Sequence, residues 1–107
     1  MDLWSGKAVN LSNNTTPNPY SGKVVTNSEG AKVTIDIPSD YVSRVTDNGN
    51  GIIYQASGSQ GNSNIIRIMG PTEYAPNGYV VFHNKYGQPF NPITGKTLSK
   101  SLWHFNF

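Results

Sequence analysis

The sequence has 107 residues, a formal net charge of +2 and no cysteine. This length suffices for one domain with a modest hydrophobic core. Without cysteine there are no disulfides and no thiol catalysis, and two histidines make a thin ligand set for a metal. We therefore expect neither a metal nor a cofactor. No apolar run approaches the roughly 20 residues that span a bilayer, and the segment around Trp4 lacks the apolar stretch of a signal peptide.

The first part of the chain is rich in polar residues and proline. Asn, Ser, Thr, Gly and Pro dominate residues 10–22, and Pro17 and Pro19 disfavour a regular helix there. We interpret residues 1–22 as an extended arm or the remnant of a linker. Residues 23–107 then form the β-rich core of a single domain.

Two short runs rich in β-branched residues follow, Lys23–Thr26 and Ala31–Ile37. They are separated by Asn27-Ser28-Glu29-Gly30, which is typical of a hairpin turn. Apolar and polar residues alternate in the second run, which indicates a half-buried strand.

The next segment carries a helix-start signal. Ser39 or Asp40 is suited to cap a helix, and Tyr41 and Val45 would then lie one turn apart. We expect one short helical turn here. The Asn- and Gly-rich segment 47–51 that follows predicts a turn.

The remainder of the chain predicts further strands with short connections. We expect strands at Ile52–Gln55, Ile65–Met69, Gly78–Tyr86, Pro89–Asn91 and Ser101–Phe107, with a loop at 57–64 and a hairpin turn at 85–88. Short connections favour antiparallel pairing. The predicted fold class is α+β, mainly β: a small antiparallel sheet with one or two short helical turns.

Charge is distributed unevenly along the chain. Residues 1–63 contain four basic and five acidic side chains, whereas residues 64–107 contain four basic side chains and only Glu73 as an acid. Both histidines also fall in the second half. An anionic ligand such as a phosphodiester would be drawn to this half, although surface lysines that only improve solubility would give the same pattern.

Strand alternation predicts where the candidate side chains point. In Ile65–Met69, Arg67 faces away from the side of Ile66 and Ile68. In Gly78–Tyr86, His83 and Lys85 share a face with Tyr79. In Ser101–Phe107, the aromatic residues form the core face, and His104 is presented on the opposite one.

These residue types fit cleavage of RNA without a metal. His104 can act as a general acid or base near neutral pH, while Arg67 and Lys85 stabilise charge on a phosphoryl group, with His83 as a further catalytic candidate. The nucleophile would be the 2′-OH of the substrate. Candidate substrate-binding residues are Tyr79, Lys96, Thr97, Ser99 and Lys100. A histidine or arginine on a strand is more often structural, and aromatic residues near basic ones can equally fill the core.

The segment IIRIMGPTEYAPNGYVVFHNKYGQPFNPITGKTLSKSLWHF (65–105) resembles the C-terminal toxin domains of bacterial polymorphic toxins, which include contact-dependent inhibition and Rhs effectors. Such domains have a "RIM" strand, a Pro-rich turn, a "GYVVYYNKYGQP" hairpin, an "NPxTGK" turn and a terminal histidine. Residues 37–55 are similar to the "IP…NGxG…Q" segment of the same domains.

The resemblance implies a toxic effector domain, often a compact ribonuclease of the barnase, EndoU, colicin and RelE-like type. Such a domain is secreted within a larger effector, acts in the target-cell cytoplasm on RNA such as tRNA, and is monomeric or bound to a cognate immunity protein. The positions that match the motifs are Arg67 and His104. The chain departs from the pattern at Trp103 and at His83, where a small or polar residue and an aromatic are usual.

Two other classes of function remain open on the sequence alone. One is a different toxin enzyme, such as a DNase or an NAD-consuming enzyme. The other is a non-catalytic module that binds carbohydrate or protein, which the polar and aromatic residues of 10–22 and 57–64 would suit.

Overall fold

The computed structural model describes residues 18–107, so residues 1–17 of the predicted arm lie outside the described part. The strands, numbered in chain order, are β1 (Val24–Thr26), β2 (Lys32–Thr34), β3 (Val42–Val45), β4 (Gly51–Gln55), β5 (Ile65–Met69), β6 (Tyr79–His83) and β7 (Phe105–Asn106). They form one antiparallel sheet in the order β2-β1-β7-β6-β5-β4-β3. The mainly β prediction is therefore confirmed. Within residues 18–107, helical structure is confined to one 3-10 turn at Lys100–Leu102, and no helix is long and apolar enough to span a membrane.

The predicted hairpin of β1 and β2 is present. Val25 pairs with Val33, and both side chains are buried. The turn closes at Gly30, whose φ of 88° is strained for any residue with a Cβ. Asn27 is also buried in this turn, and its Oδ1 accepts hydrogen bonds from the backbone N–H groups of Glu29 and Ala31.

The helical turn expected at 41–45 is wrong, because this segment is strand β3. In place of a helical turn, the chain makes one tight turn before this strand, in which the Tyr41 N–H donates to the Pro38 carbonyl. β3 then pairs with β4 over its whole length, from Val42 opposite Gln55 to Val45 opposite Ile52. A ladder of four residue pairs outweighs one capping side chain, and β-branched residues favour the strand.

One face of the sheet, the core face, carries the hydrophobic core. Its buried residues are Val25, Val33, Ile35, Ile37, Tyr54, Ile66, Ile68, Val80, Phe82 and Phe105. The opposite face is called the outer face below. Ile35 and Ile37 belong to the segment that joins β2 to β3, which are the two edges of the sheet. Backbone hydrogen bonds of Ile35 with Gly22 and Lys23 continue the pairing of β1 and β2 past Thr34, so the chain leaves this edge only after Ile35.

The short connection between the edge strands β2 and β3 requires a curled sheet. Six strand spacings separate the edges, about 29 Å in a flat sheet at roughly 4.8 Å each. From Thr34 to Val42 the chain spans at most about 24 Å, since a tight turn at Pro38–Tyr41 interrupts otherwise extended backbone. The edges must therefore curl toward each other around the core face.

The last strand is much shorter than predicted. Ser101 and Leu102 belong to the 3-10 turn, and the Trp103 indole N–H donates to the Leu98 carbonyl at 2.9 Å. β7 comprises only Phe105 and Asn106, which lies between β1 and β6. Its alternation is as predicted: Phe105 is fully buried, whereas the neighbouring side chains on either side are exposed.

The strand predicted at Gly78–Tyr86 ends at His83. The hairpin turn that follows is present, with the Gly87 N–H donating to the Asn84 carbonyl. Beyond this turn, the predicted strand Pro89–Asn91 is reduced to isolated bridges, of which one pairs His83 with Pro89.

We predict that Phe105→Ala destabilises the domain by about 3–5 kcal/mol, because it removes a fully buried ring from the core and from the strand that joins both parts of the sheet. Ile93→Ala is the matched control: this side chain is 69% exposed and its truncation should cost less than about 0.5 kcal/mol. Urea unfolding measures both. Equal losses for the two variants would contradict this account of the core.

Candidate functional site

Arg67 lies at the centre of the outer face. In the ladder it is opposite Ile53 of β4 on one side and Val81 of β6 on the other. Directly opposed residues of antiparallel strands share a face, so these three side chains form a row across the sheet. The sequence-based orientation of Arg67, away from Ile66 and Ile68, is what the structure has. Its side chain is half-buried.

His104 extends the same row. The pairing of β6 with β7 ends at Val80 opposite Phe105, and continuing this register by one position would place His104 opposite Val81. Arg67 and His104 would then flank Val81, with two strand spacings, about 9.5 Å, between their backbones. Arg67 and His104 line different cavities, and the charge of Arg67 acts on the imidazole through space.

Tyr79 fixes the plane of the His104 ring. The two rings are stacked, with centroids 4.0 Å apart and an interplanar angle of 18°. They line a cavity of about 310 Å³ whose walls are partly polar and partly apolar. Its other lining residues are Asn27, Ser28, Thr72, Tyr74, Ala75, Ser101 and Asn106. An imidazole whose ring plane is restrained and which is open to a cavity is suited to proton transfer.

The His104 imidazole is held in its neutral form. Burial lowers its pKa below the usual 6.5, and the charge of Arg67 lowers it further. The side chain is exposed as a whole, but stacking on Tyr79 covers one ring face and accounts for the desolvation. A neutral imidazole beside a guanidinium can accept a proton at pH 7 while the cation holds an anion.

His83 has a different environment. It is 7% exposed, and its Nδ1 lies 3.2 Å from the Gly87 carbonyl oxygen. Because a carbonyl only accepts, Nδ1 carries the proton, which leaves Nε2 unprotonated and without a hydrogen-bond partner in the described part of the chain. Burial and the Arg67 charge lower the pKa of this ring, against the opposing effect of the Gly87 bond. His83 thus anchors the turn that follows β6.

The two histidines do not form one site. His104 stacks on Tyr79, and His83 is four residues further along β6, roughly 13 Å of extended strand. They also line different cavities. Arg67 is the one charge among residues 18–107 that shifts the pKa of both rings.

Lys85 does not share the face of His83, because the strand ends before it. It lies in the following turn, where its ammonium is 5.2 Å from the Tyr86 ring centroid. The predicted substrate-binding residues Lys96, Thr97, Ser99 and Lys100 are exposed near the 3-10 turn and do not line the His104 cavity. Among those candidates, Tyr79 is the one that meets His104.

Arg44 was not singled out by the sequence patterns. It lies opposite Ile53 in the ladder, so it belongs to the same row as Arg67. Its Nη1 donates to Oε1 of Gln55 at 2.7 Å. A strand-type alternation in 42–45 would have placed it on the outer face, but the capping signal favoured a helical turn there.

The outer face therefore offers cationic and acid–base chemistry. Among residues 18–107 no three His, Asp or Glu side chains come together as a metal site would require. An imidazole is in contact with its aromatic stacking partner, and the charge of a guanidinium influences that imidazole. This set suits a substrate with negative charge and a proton to lose.

Comparison of the chain with protein-family models, with curated proteins and with solved structures finds no match.

We predict that both imidazoles titrate below pH 6.5 in the folded protein and that Arg67→Gln raises both midpoints, since the guanidinium contributes to both lowered pKa values. Proton NMR of the ring signals against pH measures this. Arg44→Gln is the control, because Arg44 contributes to neither shift. An unchanged His104 midpoint in Arg67→Gln would show that the two groups do not interact.

A stability prediction follows from the same shifts. The folded imidazoles have pKa values below the unfolded value of about 6.5, so the unfolded state binds more protons as the pH falls through this value. Stability from these groups is therefore complete above pH 6.5 and declines below it. Urea unfolding should give a smaller free energy at pH 5.5 than at pH 7.5, and His83→Gln should weaken this dependence if the variant remains folded.

Proposed function

We propose that this domain is a metal-independent endoribonuclease and the toxin module of a larger bacterial effector. The observation that carries the proposal is the neutral, exposed imidazole of His104, stacked on Tyr79 and influenced by Arg67 across Val81. RNA is the anionic polymer that supplies its own nucleophile, so the protein needs only to move protons and to stabilise charge.

In the proposed reaction, His104 removes the proton from a ribose 2′-OH. The 2′-oxygen attacks the adjacent phosphorus, and the bond from phosphorus to the 5′-oxygen of the next nucleotide breaks. The departing oxygen takes up a proton from water and His104 returns its proton to the solvent, which leaves a 2′,3′-cyclic phosphate on one product and a 5′-OH on the other. Atoms and charge balance without a metal or a co-substrate.

Arg67 stabilises the pentacoordinate phosphate. Additional negative charge develops on its oxygens during the attack, and a guanidinium offers paired N–H donors to such oxygens. Its position in the ladder is fixed on both sides by β4 and β6. The same charge lowers the pKa of His104, so Arg67 both keeps the imidazole neutral and stabilises the pentacoordinate phosphate.

Tyr79 positions the base. The nearly parallel stack restrains the plane of the His104 ring, and the edge of the ring stays accessible from the cavity. A base fixed before the substrate binds does not lose conformational freedom in the transition state.

The biological setting in this proposal follows from the resemblance of residues 65–105. The domain would be delivered as part of a larger secreted protein and would cleave RNA, for instance tRNA, in the cytoplasm of a competing bacterium. A cognate immunity protein would protect the producer. The excess of basic side chains in residues 64–107 supports an anionic substrate.

We predict that the purified domain cleaves RNA in the presence of EDTA and leaves 2′,3′-cyclic phosphate ends, whereas DNA of the same sequence stays intact. His104→Ala and Arg67→Ala should each lower the cleavage rate by about 10²-fold or more. Lys85→Ala is the control and should keep near-wild-type activity, because its side chain lies in the turn over Tyr86. Gel analysis of labelled RNA measures all of these.

Activity in both His104→Ala and Arg67→Ala at the wild-type level would overturn the assignment of the site. Loss of cleavage in EDTA, or cleavage of DNA, would point instead to a different toxin enzyme. Expression of the domain inside bacteria should arrest growth, and His104→Ala should relieve the arrest; a harmless wild-type domain would favour a non-catalytic binding module.

A further inference from the structure

Basic side chains recur on every second strand across the outer face. Arg44, Ile53, Arg67 and Val81 are directly opposed on β3, β4, β5 and β6, and His104 follows in the register toward β7. The order is thus basic, apolar, basic, apolar, imidazole. Successive basic groups are about 9.5 Å apart at the backbone. We call these five residues the transverse row.

Arg44 is held in place by a buried neutral side chain. Gln55 is 7% exposed, and its Nε2 donates to the carbonyl oxygens of Gly61 at 3.1 Å and Ser63 at 2.8 Å. These bonds fix the amide so that its Oε1 faces the Arg44 guanidinium. An amide orients the guanidinium without neutralising it, so the full charge and the remaining N–H donors are available to a ligand.

A cavity of about 440 Å³ lies between the two arginines. Ile53 lies between them in the ladder, and Asn48 and Asn62 contribute amide groups to the walls. Asp47 also lines this cavity, so the site carries one carboxylate beside two guanidinium groups. An anion with oxygens on several sides, such as a phosphodiester, fits the surplus of donors and of positive charge.

We infer that Arg44 and Arg67 bind a phosphate of a single-stranded RNA that crosses the sheet along the transverse row. The phosphate in this cavity would neighbour the one cleaved between Arg67 and His104. The inference rests on the proposed function for its choice of RNA. A polymer is favoured because the row continues beyond this cavity to His104, which a single phosphate held between the two arginines would not reach.

Apolar and aromatic side chains between the cations also favour a nucleic acid. Ile53 is partly exposed between the two arginines and Tyr79 is partly exposed beside His104, whereas Val81 is buried and offers no surface to a ligand. Proteins that bind single strands combine a positively charged track with such surfaces for the bases. An acidic polypeptide would match the charges but would leave these surfaces unused.

The test measures binding apart from cleavage. A fluorescent 2′-O-methyl RNA 12-mer cannot be cleaved, since its 2′-oxygens carry no proton, and its anisotropy gives the dissociation constant over a series of salt concentrations. One phosphate contact on a single strand contributes about 0.7 to the slope of log K against log salt, which is about fivefold in affinity at 0.1 M relative to 1 M. Arg44→Gln should lose this amount, and Arg44→Lys should retain most of it.

Two further variants serve as matched controls. Lys23→Gln removes the same charge from an exposed lysine just before β1, away from the cavity, and should leave the slope unchanged. Asp47→Asn removes the one carboxylate of the cavity and should tighten binding. Inorganic phosphate and poly-glutamate of similar charge, used as competitors, should displace the 12-mer far less well than unlabelled RNA.

The outcomes separate this inference from the proposed reaction. If wild-type protein cleaves RNA but Arg44→Gln keeps the wild-type salt slope and affinity, the phosphate site is overturned and the ribonuclease stands. If no RNA is cleaved but Arg44→Gln still loses fivefold in binding, the site stands and the reaction fails. Equal competition by poly-glutamate would overturn RNA as the ligand and favour an acidic protein.

Discussion

The pairing of β7 between β1 and β6 holds the structure together. The hairpin of β1 and β2 meets the other strands through a single ladder pair, Thr26 with Asn106. A second connection comes from the hairpin turn, where the side chains of Asn27 and Ser28 donate to the carbonyls of residues 102 and 101. Phe105 inserts into the core between these contacts. Because His104 is the next residue, the stability of the sheet and the placement of the imidazole depend on the same short segment.

The faces of the inner strands could be predicted from the sequence, because β5 and β6 are long enough to show alternation and have neighbours on both sides. Segment 41–45 could not, since a capping residue is visible locally whereas the pairing partner, β4, becomes visible only in the fold. Alternation places Lys85 on the face of His83 only if β6 continues past His83, but a turn begins there. At element ends, hydrogen bonding between segments decides the structure, and a single sequence does not display it.

The candidate site also depends on the order of the strands in the sheet. Alternation indicates on which face a side chain lies but not which strands are neighbours. The sheet order is not sequential, because β7 lies between β1 and β6. Only this order brings His104 close to β6 and within the influence of Arg67. The burial of His83 and its bond to Gly87 depend likewise on how the turn after β6 folds. Arg44 belongs to the transverse row because residues 42–45 form a strand that pairs with β4.

The curl of the sheet has a further consequence for any polymer on the outer face. Edges that bend toward the core make the opposite surface convex, so side chains on it diverge from one another. A stiff rod laid across such a surface touches it at one point, whereas a flexible chain can follow the curvature. A nucleic acid duplex stays straight over about 150 base pairs. If the proposed ligand is a nucleic acid, this curvature would disfavour double helices and favour loops and unpaired strands.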